Sequence, residues 1–120
     1  LFETSEEDNV DCLGIIPGSV RQFNRWEVKV PHMGWNQVEW EPEASTDLRD
    51  TLLRGIAPRG FYYFVHSYFA PVNADATLAV TDYDGTFSSA VRKNNYFGFQ
   101  FHPERSGETG LKLLRNFVNL

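Results

Sequence analysis

The segment "GFQFHPE" ends in the two side chains best suited to do chemistry together, His102 and Glu104. An imidazole titrates near neutral pH, so it can take up and release a proton within one reaction cycle. Pro103 fixes its own φ and biases His102 toward an extended backbone. On an extended backbone residues 102 and 104 project to the same side. The Glu104 carboxylate can then bond one ring nitrogen, set the tautomer and stabilise the imidazolium formed when the other nitrogen takes a proton. That is two thirds of a nucleophilic triad, placed at a strand end, where α/β sheets hold their active sites. The plainer alternative is a strand-end His beside a solvated Glu, and the tripeptide alone leaves both open.

The single cysteine, Cys12 in "DCLGIIPG", is the one candidate for a thiol nucleophile. A nucleophile elbow needs small residues two positions to either side, a strand before it and a helix after it. Val10 is bulky, and Pro17-Gly18 follow too soon for that helix. Asp11, if close, opposes thiolate formation. Cys12 therefore reads as a loop residue entering a strand. A lone cysteine also forms no internal disulfide, which fits a reducing compartment.

His66 lies in "YYFVHSY", where a core His with both nitrogens satisfied is the expected state. His32 lies in "PHMGWN" beside Met33 and Trp35, which reads as a packed turn or as a contact surface, since exposed Met and aromatics mark interfaces. The three histidines are 34 and 36 residues apart. No paired Cys/His spacing supports a zinc site, so no metal or cofactor is expected.

The elements that must position these residues are mostly strands. "EVKVPHMGWNQVEWEPE" predicts a strand, a loop at "PHMGWN" and a second strand. "STDLRDTLLRGI" predicts a short helix from Ser45-Thr46 to near Gly55 through Leu48, Leu52 and Leu53. The apolar run over residues 61–68 predicts a central strand buried on both faces. "ATLAVTDYDG" and "TFSSAVRKNN" flank the tight-turn pair Asp84-Gly85. "NYFGFQF" predicts a strand with Phe97, Phe99 and Phe101 on one face. The terminal "GETGLKLLRNFVNL" predicts a helix with an apolar stripe of Leu111, Leu114 and Val118. "LFE" at the start reads as the last turn of a helix.

A chain of 120 residues suffices for one domain with one core. The 10 Phe, 5 Tyr and 3 Trp residues can fill it. The net charge of −5 disfavours a nucleic-acid partner. No apolar run approaches the roughly 20 residues of a membrane span, and no signal-peptide pattern opens the chain.

Taken together, "LFETSEE", "LGIIPGSV", "KVPHMGWNQV", "YYFVHSY", "YDGTFSSAVRKNNYFGFQFHPERSG" and "GLKLLRNF" resemble a class I glutamine amidotransferase. Within that family they are most similar to the glutaminase subunits of imidazole glycerol phosphate synthase, which serve histidine biosynthesis. The resemblance covers nearly the whole chain. It implies an α/β fold, the carboxy-terminal part of a flavodoxin-like class I glutaminase domain, with a mixed, mostly parallel sheet and a terminal helix. Residues 1–120 are then a single and incomplete domain.

The resemblance also implies a Cys-His-Glu triad, with His102 as general base and acid and Glu104 orienting it. The family's nucleophile belongs in a "CLG" elbow just before "LFE", which makes Cys12 a decoy and the 120 residues inactive by themselves. Ser67 and Tyr68, and also Glu7, match substrate-binding positions. Trp35, Asn36 and Tyr63 match the partner-facing side and the mouth of an ammonia channel. Arg105 stands at that interface where Lys commonly follows "HPE", and Arg keeps the charge but not the geometry. The implied partner is a (β/α)8-barrel cyclase subunit, the implied substrate is glutamine, and the implied location is cytoplasmic. Two other readings remain: a class I glutaminase that feeds a different synthase, and a non-catalytic interaction domain derived from one.

Overall fold

A computed structural model describes residues 1–120. The chain builds two sheets and one α-helix. β1 (Phe2–Ser5), β2 (Val10–Asp11), β3 (Ile16–Gln22) and β6 (Tyr68–Phe69) form a four-stranded sheet in the order β2-β1-β3-β6. β4 (His32–Trp40), β5 (Arg59–His66), β7 (Thr77–Asp82), β8 (Thr86–Lys93) and β9 (Tyr96–Phe99) form a five-stranded sheet in the order β5-β4-β7-β8-β9. Helix α1 (Gly107–Val118) closes the chain. This mixed α/β arrangement with a terminal helix is consistent with a class I glutaminase domain.

The main core lies on the inner face of the larger sheet, where Val38, Tyr62, Phe64, Phe87, Phe101 and Leu113 are almost fully buried. A smaller cluster around Phe2, Ile16 and Val91 joins the two sheets. The β7–β8 hairpin turns at Asp84 and Gly85, with φ of +53° and +102°. Asp82 pairs with Thr86, so the loop is Tyr83, Asp84 and Gly85, and the Asp-Gly pair supplies the positive φ values of the reversal, as the dipeptide predicts.

Several expectations are corrected. The "LFE" segment is the start of strand β1, not a helix end. Phe2 buries itself against the smaller cluster, Glu3 Oε1 accepts the Gly18 N–H at 2.8 Å, and Thr4 Oγ1 donates to Ser19 Oγ at 2.8 Å. Pairing with β3 thus supplies partners that a frayed helix turn would lack. The "PHMGWN" loop is also a strand. β4 pairs with β5 without a break from His32↔His66 to Glu39↔Arg59, and Gly34 is absorbed into it at φ +121°. Glycine tolerates that φ without turning the chain, so it is a weaker break signal here than the sequence suggests. The "EVKV" segment before it contributes turns rather than a strand.

The run at 61–68 is an edge strand, not a central one, and it buries one face. Tyr62, Phe64 and His66 point inward, while Phe61 stands 59% exposed. The expected mostly parallel sheet is absent: only β1 and β3 pair in parallel. All other strand pairs are antiparallel, and for β7–β8 and β8–β9 the short connections permit nothing else. The helix expected after Ser45 is one 3₁₀ turn, Thr46–Leu48, followed by further turns that bury Leu48 and Leu52. On α1 the inward line is Gly110 and Leu113, and the expected stripe is not the buried one. Leu111 is 49% and Val118 78% exposed. The cause is a close approach: a Cβ on Gly110 would lie 1.9 Å from the Pro103 carbonyl oxygen, so that face must turn toward Pro103.

Candidate functional site

His102 follows β9, just beyond the buried Phe101, where its backbone N–H donates to the Tyr63 carbonyl of β5 at 2.9 Å. The backbone does not stay extended through "HPE". Pro103–Arg105 form a 3₁₀ turn, with Pro at its first turn, where a missing N–H costs nothing. The turn still brings the side chains together: His102 Nδ1 lies 2.7 Å from Glu104 Oε1. An ionised carboxylate only accepts, so Nδ1 carries the hydrogen and Nε2 is the nitrogen left to take a proton. Nε2 has no hydrogen-bond partner within the chain, and the imidazole is 42% exposed. Glu104's own backbone N–H, then the His102 hydrogen bond, hold its carboxyl below the usual range, with the His102 and Arg105 charges adding to the effect. Glu104 is therefore ionised at neutral pH, as an orienting acceptor must be.

Two residues outside the sequence reading hold this turn. Ser106 is 3% exposed, and its Oγ accepts the Tyr63 N–H at 2.9 Å while donating to the His102 carbonyl at 2.6 Å. It clamps the turn to β5. Gly110 admits the Pro103 carbonyl against α1. The signal for both is the run of small residues in "RSGETG", which marks close backbone approach but not its target.

The other candidates fall in separate places. Ser67 and Tyr68 lie where the chain leaves β5 for β6, both half-buried, with the Ser67 carbonyl accepting the Phe23 N–H at 3.1 Å. Glu7 is exposed on a turn of the smaller sheet, and its neighbour Glu6 lines a cleft of about 370 Å³ with Gln22, Phe69 and Tyr83. Trp35 and Tyr63 are cross-strand partners on the outward face, their rings 6.2 Å apart. Asn36 points to the other side of β4, into the core. Arg105 is exposed beside Glu104. Cys12 is exposed in the loop from β2 to β3, within the smaller sheet. His102 stands at the end of the other. The two side chains are not brought together by any hydrogen bond: Cys12 Sγ reaches only the Val10 carbonyl, at 3.9 Å. No group of three His, Cys, Asp or Glu side chains is assembled to hold a metal.

His66 has both ring nitrogens bonded, to the Tyr68 carbonyl at 2.7 Å and to His32 at 2.8 Å. His32 is neither a turn nor a contact surface: it is 4% exposed in β4, and Asn36 Nδ2 lies 3.1 Å from its Nε2. Burial, with His66 nearby, pushes its imidazole down to about 4. Its neighbours Met33 and Trp35 are exposed.

A carboxylate-oriented imidazole on a clamped turn at the end of an antiparallel sheet can act as the acid–base partner of a nucleophile. The family description "Glutamine amidotransferase class-I" matches residues 12–120, and the chain belongs to that family. Imidazole glycerol phosphate synthase subunit HisH of Xanthomonas campestris pv. campestris (strain 8004) is 48% identical over 122 residues, covering 100% of this chain and 57% of that protein. The subunit of the same name from Bacteroides fragilis (strain ATCC 25285) is 47% identical over 118 residues, covering 97% and 56%. The chain thus spans somewhat over half the length of the curated relatives it matches.

Proposed function

We propose that the intact protein is the glutaminase of an imidazole glycerol phosphate synthase. It hydrolyses glutamine to glutamate and ammonia for histidine biosynthesis. The observation that carries this reading is the His102–Glu104 pair at 2.7 Å, with Nε2 free and the turn clamped by Ser106. The identity to subunits of that synthase along the whole chain supports the substrate and the pathway.

In this reading a cysteine outside these 120 residues gives its proton to His102 Nε2 and attacks the side-chain amide carbon of glutamine. Backbone N–H groups hold the resulting oxyanion. His102 then returns the proton to nitrogen as the C–N bond breaks, and ammonia leaves. His102 next takes a proton from water, which attacks the thioester carbon; the C–S bond breaks, glutamate leaves, and His102 returns the proton to the thiolate. Glu104 keeps the hydrogen on Nδ1 throughout, so Nε2 always faces the reaction. Ser67, Tyr68 and Glu7 contact the substrate. Trp35, Tyr63 and Arg105 belong to the side that meets a (β/α)8-barrel cyclase, whereas Asn36, turned to the other face of β4, does not face it. Ammonia passes into that barrel without meeting bulk water, where protonation would destroy its nucleophilicity. The protein works in the cytoplasm, and no helix of the chain is long and apolar enough to cross a membrane.

The test is the intact protein assayed with its cyclase. His102→Ala should end glutamine-dependent synthesis and leave synthesis from added ammonium salts. Loss of both would remove the role given to His102.

A further inference from the structure

A directed line of side chains runs through the core close to this site, and its direction follows from its fixed end. The Tyr68 carbonyl only accepts, so His66 Nδ1, 2.7 Å away, carries a hydrogen. A neutral imidazole has one N–H, so His66 Nε2 accepts. Its partner at 2.8 Å is His32 Nδ1, which therefore donates. His32 Nε2 accepts in turn from Asn36 Nδ2 at 3.1 Å. The Asn36 amide is oriented by two further bonds. Its nitrogen also donates to the Asp82 carbonyl at 3.1 Å, and its oxygen accepts the Gln37 N–H at 2.7 Å. Every ring nitrogen is matched, and only one tautomer of each ring satisfies the line.

The line requires both rings to be neutral. A proton added to His66 Nε2 would set N–H against N–H across the 2.8 Å contact, and one added to His32 Nε2 would face the Asn36 amide N–H at 3.1 Å. The rings are enclosed by Phe23, Phe64 and Phe87. The titratable groups around them are Tyr83, whose ring stacks 3.9 Å from His32, Tyr68 itself, and His102, whose charge further disfavours a cationic His66. Burial holds both imidazoles below their ordinary range.

The line ends on a segment with little else to define it. Residues 67–68 carry the chain from the larger sheet to the smaller one. β6 is two residues long and pairs with β3 only through Arg21↔Phe69 and Gln22↔Tyr68. The His66 ring reaches forward two residues and closes this bend from inside.

We infer that His66 is a positioning residue for glutamine binding: its Nδ1–H, directed by His32 and Asn36, holds the Ser67–Tyr68 segment in the shape that receives the substrate. The inference rests on the proposed reading that Ser67 and Tyr68 contact glutamine.

Two substitutions separate the two bonds of His66. Gln places its amide near the Nε2 position, so His66→Gln keeps a partner for His32 and loses the tie to Tyr68. Asn places its amide near the Nδ1 position, so His66→Asn keeps the tie and leaves His32 Nδ1–H unpaired. In the intact protein, H66Q should raise the KM for glutamine about tenfold with kcat changed less than about twofold, the loss expected of one directed hydrogen bond. H66N should lower the melting temperature while its KM stays within about twofold of the unsubstituted value. Equal loss of melting temperature in both variants, with neither moving KM, would show a purely structural pair and overturn the inference. Ring ¹⁵N shifts of the unsubstituted protein give a second readout that does not depend on the variants folding. Both His32 and His66 should be Nδ1–H at neutral pH, and an Nε2–H His66 overturns the inference outright. An unsubstituted protein that hydrolyses no glutamine overturns the proposed function and this inference with it. An active one whose KM is unmoved in H66Q overturns the positioning role alone.

Discussion

The three histidines of the chain divide between two pairs, and the pairs are opposites. His102 faces a carboxylate at 2.7 Å at the surface, and His32 faces another histidine at 2.8 Å in the core. Both pairs fix a tautomer through one short hydrogen bond. In the first, the partner is an acceptor that welcomes an imidazolium, and the second ring nitrogen is free. In the second, the partner is a ring that a proton would set in conflict, and every nitrogen is already used. The same side chain is placed where it can take a proton in one case and is held as a neutral strut in the other. Partner and burial decide which.

Substitutions should break the two pairs in opposite ways. The largest effect is expected from His102→Ala, which should cut glutamine-dependent turnover of the intact protein about a thousandfold, as for loss of a general acid–base, with little change in melting temperature. Acidification should act on the other pair. The folded-state imidazole of His32 titrates at about 4, below the ordinary 6.5. The unfolded chain therefore binds the proton first as pH falls. The stability that neutral His32 supports is complete above pH 6.5 and is lost progressively toward pH 4, by about 3 kcal/mol at pH 4. Denaturant titration across that range should show the loss, and His32→Gln should flatten it.

Glu104→Gln should lower turnover about a hundredfold, because an amide can present a donor to Nδ1 and no longer enforces the productive tautomer. Unfolding midpoints should not move, since the carboxylate is exposed. Gly110→Ala tests the support of the surface pair. A methyl group 1.9 Å from the Pro103 oxygen must push the turn off α1, at about 2 kcal/mol by analogy with overpacked cores, and turnover should fall with stability. Cys12→Ser should do least: within about 0.5 kcal/mol in stability, as for other exposed positions, and no loss of activity. Complete inactivation would return the nucleophile to Cys12.

The surface pair is the more legible in the sequence. "HPE" names both residues and leaves their spacing to a single turn, and the Asp84-Gly85 hairpin is equally local. The buried pair depends on register. His32 and His66 meet because β4 and β5 align in an unbroken antiparallel ladder, and the long connection between them carries no turn signal that sets it. Gly34 looked like a break because a glycine at positive φ ends most strands, yet here the cross-strand partners carry through it. The inward face of α1 escapes the sequence pattern for a similar reason. Hydrophobic spacing marked Leu111, Leu114 and Val118, but the helix is seated by Gly110, a residue with no side chain to register in a hydrophobic pattern. Ser106 gives no signal in the sequence, because a small hydroxyl becomes a clamp only when Tyr63 and His102 arrive on either side of it.

The seating of the "HPE" turn on β5 has a further consequence. β5 is the outermost strand of its sheet, so half of its peptide groups point away from β4. At Tyr63 both of these outward groups are taken, the N–H by Ser106 and the carbonyl by His102. The "HPE" turn thus serves as a plug on a strand that could otherwise template the addition of another chain, and Phe61 and Val65 lie in the same outward row. Anything that lifts the turn would uncover an adhesive ladder flanked by aromatic rings, so damage to the site should first show itself as turbidity in concentrated solution.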